Sequence, residues 1–291
     1  MTHDTDYPTG CAIEDLICVC ISRQIIDGEM VAQGMATPLV AAGYLLAKLT
    51  HAPRISFASA VGGSLCLDGA ALSLGRAEDV WLGMARNTPH LGDVVCCVLP
   101  SLHLKEFFRP AQVDAAGNTN NVAFGDLRRP RFRLPGSGGI ADLTAYSPRV
   151  YLYVPRHGRA TFVRRLDFVS GVGVLSPAER QRQCIPGPGP RFLVSDLGCF
   201  DFQGGRMRLL SNHPGVTIER VQAKTGFDLA IAADVHTTEP PTAHELELLS
   251  RVVDPLGIRS LEVLGGAERW AKLRAIASAE LNGSHFPSPP A

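Results

Sequence analysis

Groups able to do chemistry crowd into one stretch, Arg109 to Leu143, which reads RPAQVDAAGNTNNVAFGDLRRPRFRLPGSGGIADL. Side-chain amides come first, at Gln112, Asn118, Asn120 and Asn121. The turn Gly136-Ser137-Gly138-Gly139 follows. Glycines lack a Cβ, so they admit positive φ and let a bound group come right up to the main-chain N–H. Successive exposed N–H groups in such a turn form a concave nest of donors for an oxyanion or a phosphate. By itself a Gly-Ser-Gly-Gly turn is weak evidence, because a tight loop between strands is the commoner reading. Asp142, just before Leu143, is placed to cap the element that follows.

Composition narrows the field. Lys and Arg number 28 against 28 acidic residues, so the surface as a whole is neither a nucleic-acid nor a membrane footprint. No run of eighteen apolar residues exists, and no spanning helix is expected. The opening MTHDTDYPTG lacks the basic-then-apolar layout of a signal peptide, which leads to the expectation of a cytoplasmic enzyme subunit. The eight cysteines form no C-x-x-C pair and are expected to be buried thiols rather than disulfides or zinc ligands. The nine histidines make no H-x-x-x-H pair, and no structural metal or permanently bound cofactor is expected.

Several elements must position the amide-rich stretch. Helical spacing of apolar residues runs from Ile13 to Ile26, and Met30 to Ala32 reads as a short buried strand. Thr37-Pro38 starts a helix that continues to Leu49, and Arg54 to Ala58 is a second buried strand. Strand, helix and strand at this spacing imply a parallel βαβ unit with a right-handed crossover. A short helix is expected around Glu78 to Met84, and Ala71 to Gly75 resembles a serine-hydrolase elbow only by coincidence. Further on, Val150–Val154 and Thr161–Val163 read as a β-hairpin with His157 exposed at its tip. Pro186 to Pro190 marks a loop, Arg191 to Ser195 a buried strand, and Cys199–Phe202 with Met207–Leu210 a hairpin. His213 fits a turn before Pro214-Gly215, while Thr217 and Thr242 cap helices 218–224 and 243–253. A last amphipathic helix spans Ala267 to Leu281. Nine arginines fall between Arg128 and Arg165 against Asp142 alone, a local excess of +8. Such a patch draws in phosphates, or else forms a solvated strand face or a subunit contact.

Ordered motifs add a resemblance. Ala111-Gln112-Val113-Asp114, Gly117-Asn118 and Gly136 to Leu143 resemble the β half of the two-part acyl-CoA transferases, of the glutaconate and 3-oxoacid types. Val194 to Gly198, Phe200-Asp201-Phe202, His213-Pro214-Gly215-Val216, Thr225 to Asp228 and Asp254-Pro255 continue it in order. The likeness covers residues 11–258, taken as one CoA-transferase β-type domain, and leaves 259–291 as a helix with a Ser/Pro-rich tail. It implies an α/β, three-layer, mainly parallel sheet. It also implies a coenzyme A thioester as substrate, an α-subunit partner and a heterotetramer. In that family the end of the second strand carries the catalytic glutamate, and the matching place here is Ala58-Ser59-Ala60. A methyl group cannot attack a thioester, so this chain alone forms no acyl intermediate. Asp68 is the fallback acid.

Three functions follow from that reading. As the β subunit of a CoA-transferase-like enzyme, the chain supplies oxyanion donors at Gly136, Ser137, Gly138 and Gly139, while Gln112 and Asn118 orient the substrate. As a β subunit of the steroid-ring-opening branch, it serves C–C hydrolysis of a cyclic acyl-CoA, with the key glutamate on the α chain. The third is a non-catalytic scaffold that kept the fold and lost its nucleophile. The density of donors in a loop argues against the scaffold.

Overall fold

The computed structural model describes residues 10–34, 36–59, 63–76, 81–93, 97 and 99–282. The chain divides into two compact units, one of residues 1–94 with 240–291 and one of residues 95–239.

In the first unit, α1 (Ile13–Ser22) leads to β1 (Met30–Gln33), α2 (Pro38–Leu49) and β2 (Ser56–Ser59). β1 and β2 pair in parallel with Ala32 opposite Ala58, so the expected βαβ unit is present. β3 (Ser64–Cys66) and β4 (Ala85–Asn87) extend the sheet antiparallel. α1 ends four residues before the apolar periodicity does, because Arg23 to Ile25 close on Val19, Ile21 and Ser22 carbonyls as a turn. The two helices touch at Gly43, where a Cβ would stand 2.7 Å from Ile21 Cγ2, so only glycine permits this crossing. Thr37 does not cap α2. Its hydroxyl donates to the Gly34 carbonyl, and the free amide of Leu39 donates to the Glu262 carboxylate at 3.0 Å. Of the helix expected around Glu78 to Met84, residues 77–80 lie outside the described set, and Leu82–Met84 is a single 3-10 turn.

The second unit carries β5 (Lys105–Phe108), β6 (Gln112–Val113), β7 (Thr119–Asn120), β8 (Ala123–Phe124) and β9 (Phe132–Arg133). Then come α3 (Ile140–Tyr146), β10 (Val150–Val154), α4 (Pro177–Gln183), β11 (Pro190–Ser195) and β12 (Gly198–Asp201). β13 (Arg208–Asn212), α5 (Ile218–Lys224) and β14 (Ala230–Thr237) complete it. β5, β10 and β11 are parallel, β12 and β13 fold back antiparallel, and β14 runs parallel to β13. The β12–β13 pairing is the hairpin expected from the sequence. The other one is absent: β10 is not followed by an antiparallel partner, and Phe162 instead bridges in parallel to Val113. Thr217 caps α5 as its side-chain oxygen accepts from the Arg220 amide.

The chain returns to the first unit through α6 (Ala243–Leu248), where Thr242 and Glu245 form a reciprocal capping box. The helix α7 (Gly266–Leu281) follows, burying Ile276. Residues set apart by sequence as an extension contribute directly here. Arg259 donates to the half-buried Asp15 at 2.8 Å and to the buried Asp254 at 2.9 Å. Glu280 accepts from the Ser73 hydroxyl and from the Leu74 and Gly75 amides, pinning α7 to that turn. Five described cysteines (11, 18, 20, 66 and 199) are buried free thiols as expected, whereas Cys97 and Cys184 are exposed.

Candidate functional site

The site grows from a short hairpin, β6 and β7, whose turn is tied by Asp114. Its carboxylate accepts from the amides of Ala116 and Asn118 at 3.0 Å each and from Asn118 Nδ2 at 2.9 Å. Asn118 Oδ1 in turn accepts from the Gly173 amide at 2.8 Å. Gln112 is just as occupied: Oε1 accepts from Asn120 Nδ2 (2.8 Å) and the Asp167 amide (3.1 Å), while Nε2 donates to Asp167. Asn120 is wholly buried and clamps the next turn through Ala123 and Val122. Asn121 Oδ1 accepts from the Ala111 amide, and Nδ2 donates to Arg109. The amide side chains therefore build the scaffold around the loop.

What they hold in place is the glycine turn. The carbonyl of Asn121 accepts from the amide of Gly136 at 3.0 Å, so the two donor-rich segments are joined directly. Gly136 (φ +111°) and Gly138 (φ +53°) are both left-handed, and a Cβ on either would meet nothing within 4 Å. Among the described residues the amides of Ser137, Gly138 and Gly139 make no hydrogen bond, and Gly138 and Gly139 are exposed. Three successive unpartnered amides on an exposed turn can receive an anionic oxygen. Asp142 lies inside the first turn of α3, where Gly139 is the N-cap.

Ala58 stands at the end of β2, as the resemblance implied, between Ala32 and Leu65. Ser59 beside it donates to Gln33 at 3.3 Å; Ala60 lies outside the described residues. Asp68 is paired with Lys48 at 3.3 Å. The arginines at 128, 129, 131, 133, 156, 159, 164 and 165 are all exposed.

Two histidines depart from their expected settings. His157 is not an exposed tip but 8% exposed, stacked on Phe162 with ring centroids 3.5 Å apart. His213 makes the expected turn with Val216, yet its ring is fully buried. Thr225 donates its own proton to the Val221 carbonyl at 2.9 Å, so its oxygen must accept from His157 Nε2 at 3.0 Å. That leaves Nδ1 to accept from the Ser195 hydroxyl, also at 3.0 Å. His213 Nε2 donates to the Ser195 carbonyl at 2.8 Å, and its Nδ1 accepts from Thr238. Burial pushes His157 down to about 3, helped by the Lys224 cation, and His213 down to about 4 against the Ser195 carbonyl. Asp196 is pushed up to about 7 by burial, opposed by the His157 amide it accepts from at 2.6 Å.

Sequence reasoning passed over Glu106. Its carboxyl makes no hydrogen bond or ion pair among the described residues, and burial alone pushes it up to about 8. The only signal in the sequence is a Lys-Glu pair between Leu104 and Phe107-Phe108, which reads as well as an exposed strand end.

Among the described residues there is no helix able to cross a membrane and no group of three or more His, Cys, Asp or Glu able to hold a metal. The family model described as Coenzyme A transferase matches residues 16–224. The chain is 30% identical over 269 residues to the β subunit of glutaconate CoA-transferase from Acidaminococcus fermentans, covering 86% of this chain and 95% of that one. The crystal structure of that enzyme superposes with a TM-score of 0.76 at 26% identity, over 90% of this chain and all of that one. The cholesterol ring-cleaving hydrolase IpdB subunit of Rhodococcus jostii is 34% identical over 254 residues, 81% of this chain and 89% of that one. The structure of the decarboxylase AibA/AibB gives a TM-score of 0.74 at 30% identity, over 87% of this chain and 98% of that one. The three-layer α/β fold expected from the sequence is thus the fold found.

Proposed function

This chain belongs to the coenzyme A transferase family, and on that premise we propose that it is the β subunit of a heteromeric enzyme acting on an acyl-CoA thioester. The observation that carries this reading is the set of unpartnered amides at Ser137, Gly138 and Gly139, on a glycine turn joined to Asn121 through the Gly136 amide. A thioester carbonyl gains negative charge when attacked or when an enolate leaves, and preorganised N–H donors stabilise that charge more than the ground state. Gln112 and Asn118 orient substrate through the loop they brace, since their own amide groups are already bonded within the scaffold. The reactive carboxylate comes from an α-type partner, and the two-chain decarboxylase AibA/AibB is a relative built from such a pair. The active form is a heterotetramer in the cytoplasm, a reducing compartment suited to the buried free thiols.

Ala58 favours one reaction class over another. With a methyl group at the end of β2, that position offers no carboxylate to take up an acyl group. Water-driven cleavage of a cyclic acyl-CoA needs only a partner's base and the donors found here, and the IpdB relative is named a cholesterol ring-cleaving hydrolase. Co-purified with its α partner, the complex should act on a CoA thioester without any acceptor acid. Ping-pong kinetics with a trappable acyl-enzyme would instead establish transfer, and unchanged activity in a Gly136→Ala variant, whose donor turn is distorted, would leave only a scaffold.

A further inference from the structure

Upstream of the glycine turn, β8 and β9 form a second hairpin in which Phe124 is opposite Phe132. Its turn is closed by Asp126, whose carboxylate accepts from the Arg128 amide and whose carbonyl accepts from the Arg129 amide. Arg128, Arg129, Arg131 and Arg133 all project from this hairpin into solvent. Among the described residues none of the four guanidinium groups meets a carboxylate; Arg133 alone is held, by donating to the Leu127 carbonyl at 3.1 Å. Phe132 is 61% exposed among them, and the half-buried Phe124 ring stacks with it at 6.4 Å and 29°. In a chain of zero net charge, four cations with no carboxylate partner beside an exposed aromatic ring are poorly explained by folding.

We propose that the Ala123–Arg133 hairpin binds the nucleotide end of the coenzyme A thioester, Phe132 stacking on the adenine and Arg128, Arg129 and Arg131 holding the phosphates. The guanidinium fork matches phosphate oxygens in pairs. An aromatic face accepts any base, and base stacking on it is worth about 1–3 kcal/mol. Chain continuity supports the assignment, because only Leu134 and Pro135 separate Arg133 from Gly136. One ligand can then place its charged end on the hairpin and its thioester at the amides of Ser137 to Gly139. The inference rests on the acyl-CoA reading of the glycine loop and names the part of the substrate that this chain grips.

Calorimetry on the assembled complex with the α partner tests it, using coenzyme A, adenosine 3′,5′-bisphosphate and pantetheine as probes. Arg129→Ala/Arg131→Ala should weaken coenzyme A and the bisphosphate at least tenfold and leave pantetheine unchanged. Phe132→Ala should weaken both nucleotides several-fold, with Phe132→Tyr restoring them. Added salt should shrink the arginine effect. Unchanged nucleotide affinity, or equal weakening of pantetheine, overturns the proposal; so does failure of the variants to assemble, which would make the hairpin a subunit contact. Nucleotide binding lost in the variants of a complex that turns over no thioester would retain this site and refute the catalytic reading. Thioester turnover by a wild-type complex that does not bind the bisphosphate would do the reverse.

Discussion

His157 Nδ1 and the Ser195 hydroxyl lie 3.0 Å apart, with the ring fixed as the neutral Nε2–H tautomer because Thr225 can only accept. Together with His213 this ties the end of β10 and helix α5 to β11, β13 and Thr238. Both imidazoles have folded-state values far below their unfolded one, about 3 and about 4. In the window below about 6.5 the unfolded chain binds two protons that the native state refuses. The stability from keeping them neutral is therefore full above that value and lost as pH falls through the folded ones. Urea denaturation at pH 6, 5 and 4.5 should show a slope shallower by about 1.4 kcal/mol per pH unit in His157→Gln than in the wild type. Parallel slopes would mean that His157 is protonated in the fold.

Glu106 works in the opposite direction. Its folded value of about 8 exceeds that of a free glutamate, so the native state keeps a proton that the unfolded chain releases. Its contribution is complete below the free glutamate value and disappears as pH rises through about 8. Glu106→Gln keeps the shape and removes the titration. The variant should match the wild type near pH 4 and exceed it by about 2–4 kcal/mol at pH 8, measured by chemical denaturation. A constant difference at both pH values would show that the carboxyl is ionised throughout.

Arg259 is the only cation bonded to both Asp15 and Asp254 among the described residues, and Asp254 also accepts from the amides of Ile258 and Arg259. Arg259→Met leaves two buried or nearly buried carboxylates without a counter-charge. Removing one partner of such a group costs about 3–5 kcal/mol. The melting temperature should fall steeply, and adding Asp15→Asn should recover part of the loss. Additive losses in the double variant would mean that the pair is not coupled.

Much of this was legible in the chain because it rests on local rules. Pro38 at a helix start, Thr217 and Thr242 as caps, and the 199–202 with 207–210 hairpin depend on neighbours in sequence, and the fold has them. His157 was misread for the converse reason. Its surroundings (Ser195, Thr225 and Phe162) come from other elements, and an Arg-His-Gly-Arg string looks like a polar tip until they close over it. Gln112 and Asn118 were recognisable as important by type and position. Their bonds to Asp167 and Gly173, 55 residues away in each case, are long-range and have no sequence signature. Glu106 sits beside Lys105 in the strand Lys-Glu-Phe-Phe, and its burial comes from packing that no local pattern announces.

Asn118 distinguishes bracing from substrate contact. Its Nδ2 donates to the Asp114 carboxylate and its Oδ1 accepts from Gly173. Asn118→Ala unpairs one donor and one acceptor, a loss of about 1–3 kcal/mol. Asn118→Asp should be worse at neutral pH, since it sets a second carboxylate against Asp114, and should recover toward pH 4 as one of them takes a proton. Thermal melts at pH 7.5 and pH 4.5 decide this. An Asp variant as stable as wild type at both would remove Asn118 from the brace.

Gly138 separates the loop's chemistry from its stability. At φ +53° with open space around the missing Cβ, alanine meets a backbone penalty of about 1–2 kcal/mol but no clash. Gly136, at φ +111°, lies where side chains are excluded, so Gly136→Ala should distort the loop outright. Gly138→Ala should therefore fold and assemble with the partner, and relief of the left-handed strain by a shift toward negative φ turns its N–H away from the reacting oxygen. Loss of one such donor costs about a hundredfold or more in kcat, and a misaligned one somewhat less. The expected outcome is a fall of about ten- to a hundredfold in kcat with KM little changed, because the interaction strengthens only as charge develops. A rise in KM at constant kcat would assign the loop to ground-state binding, and full activity would leave the amides of Ser137 and Gly139 as the only donors at work.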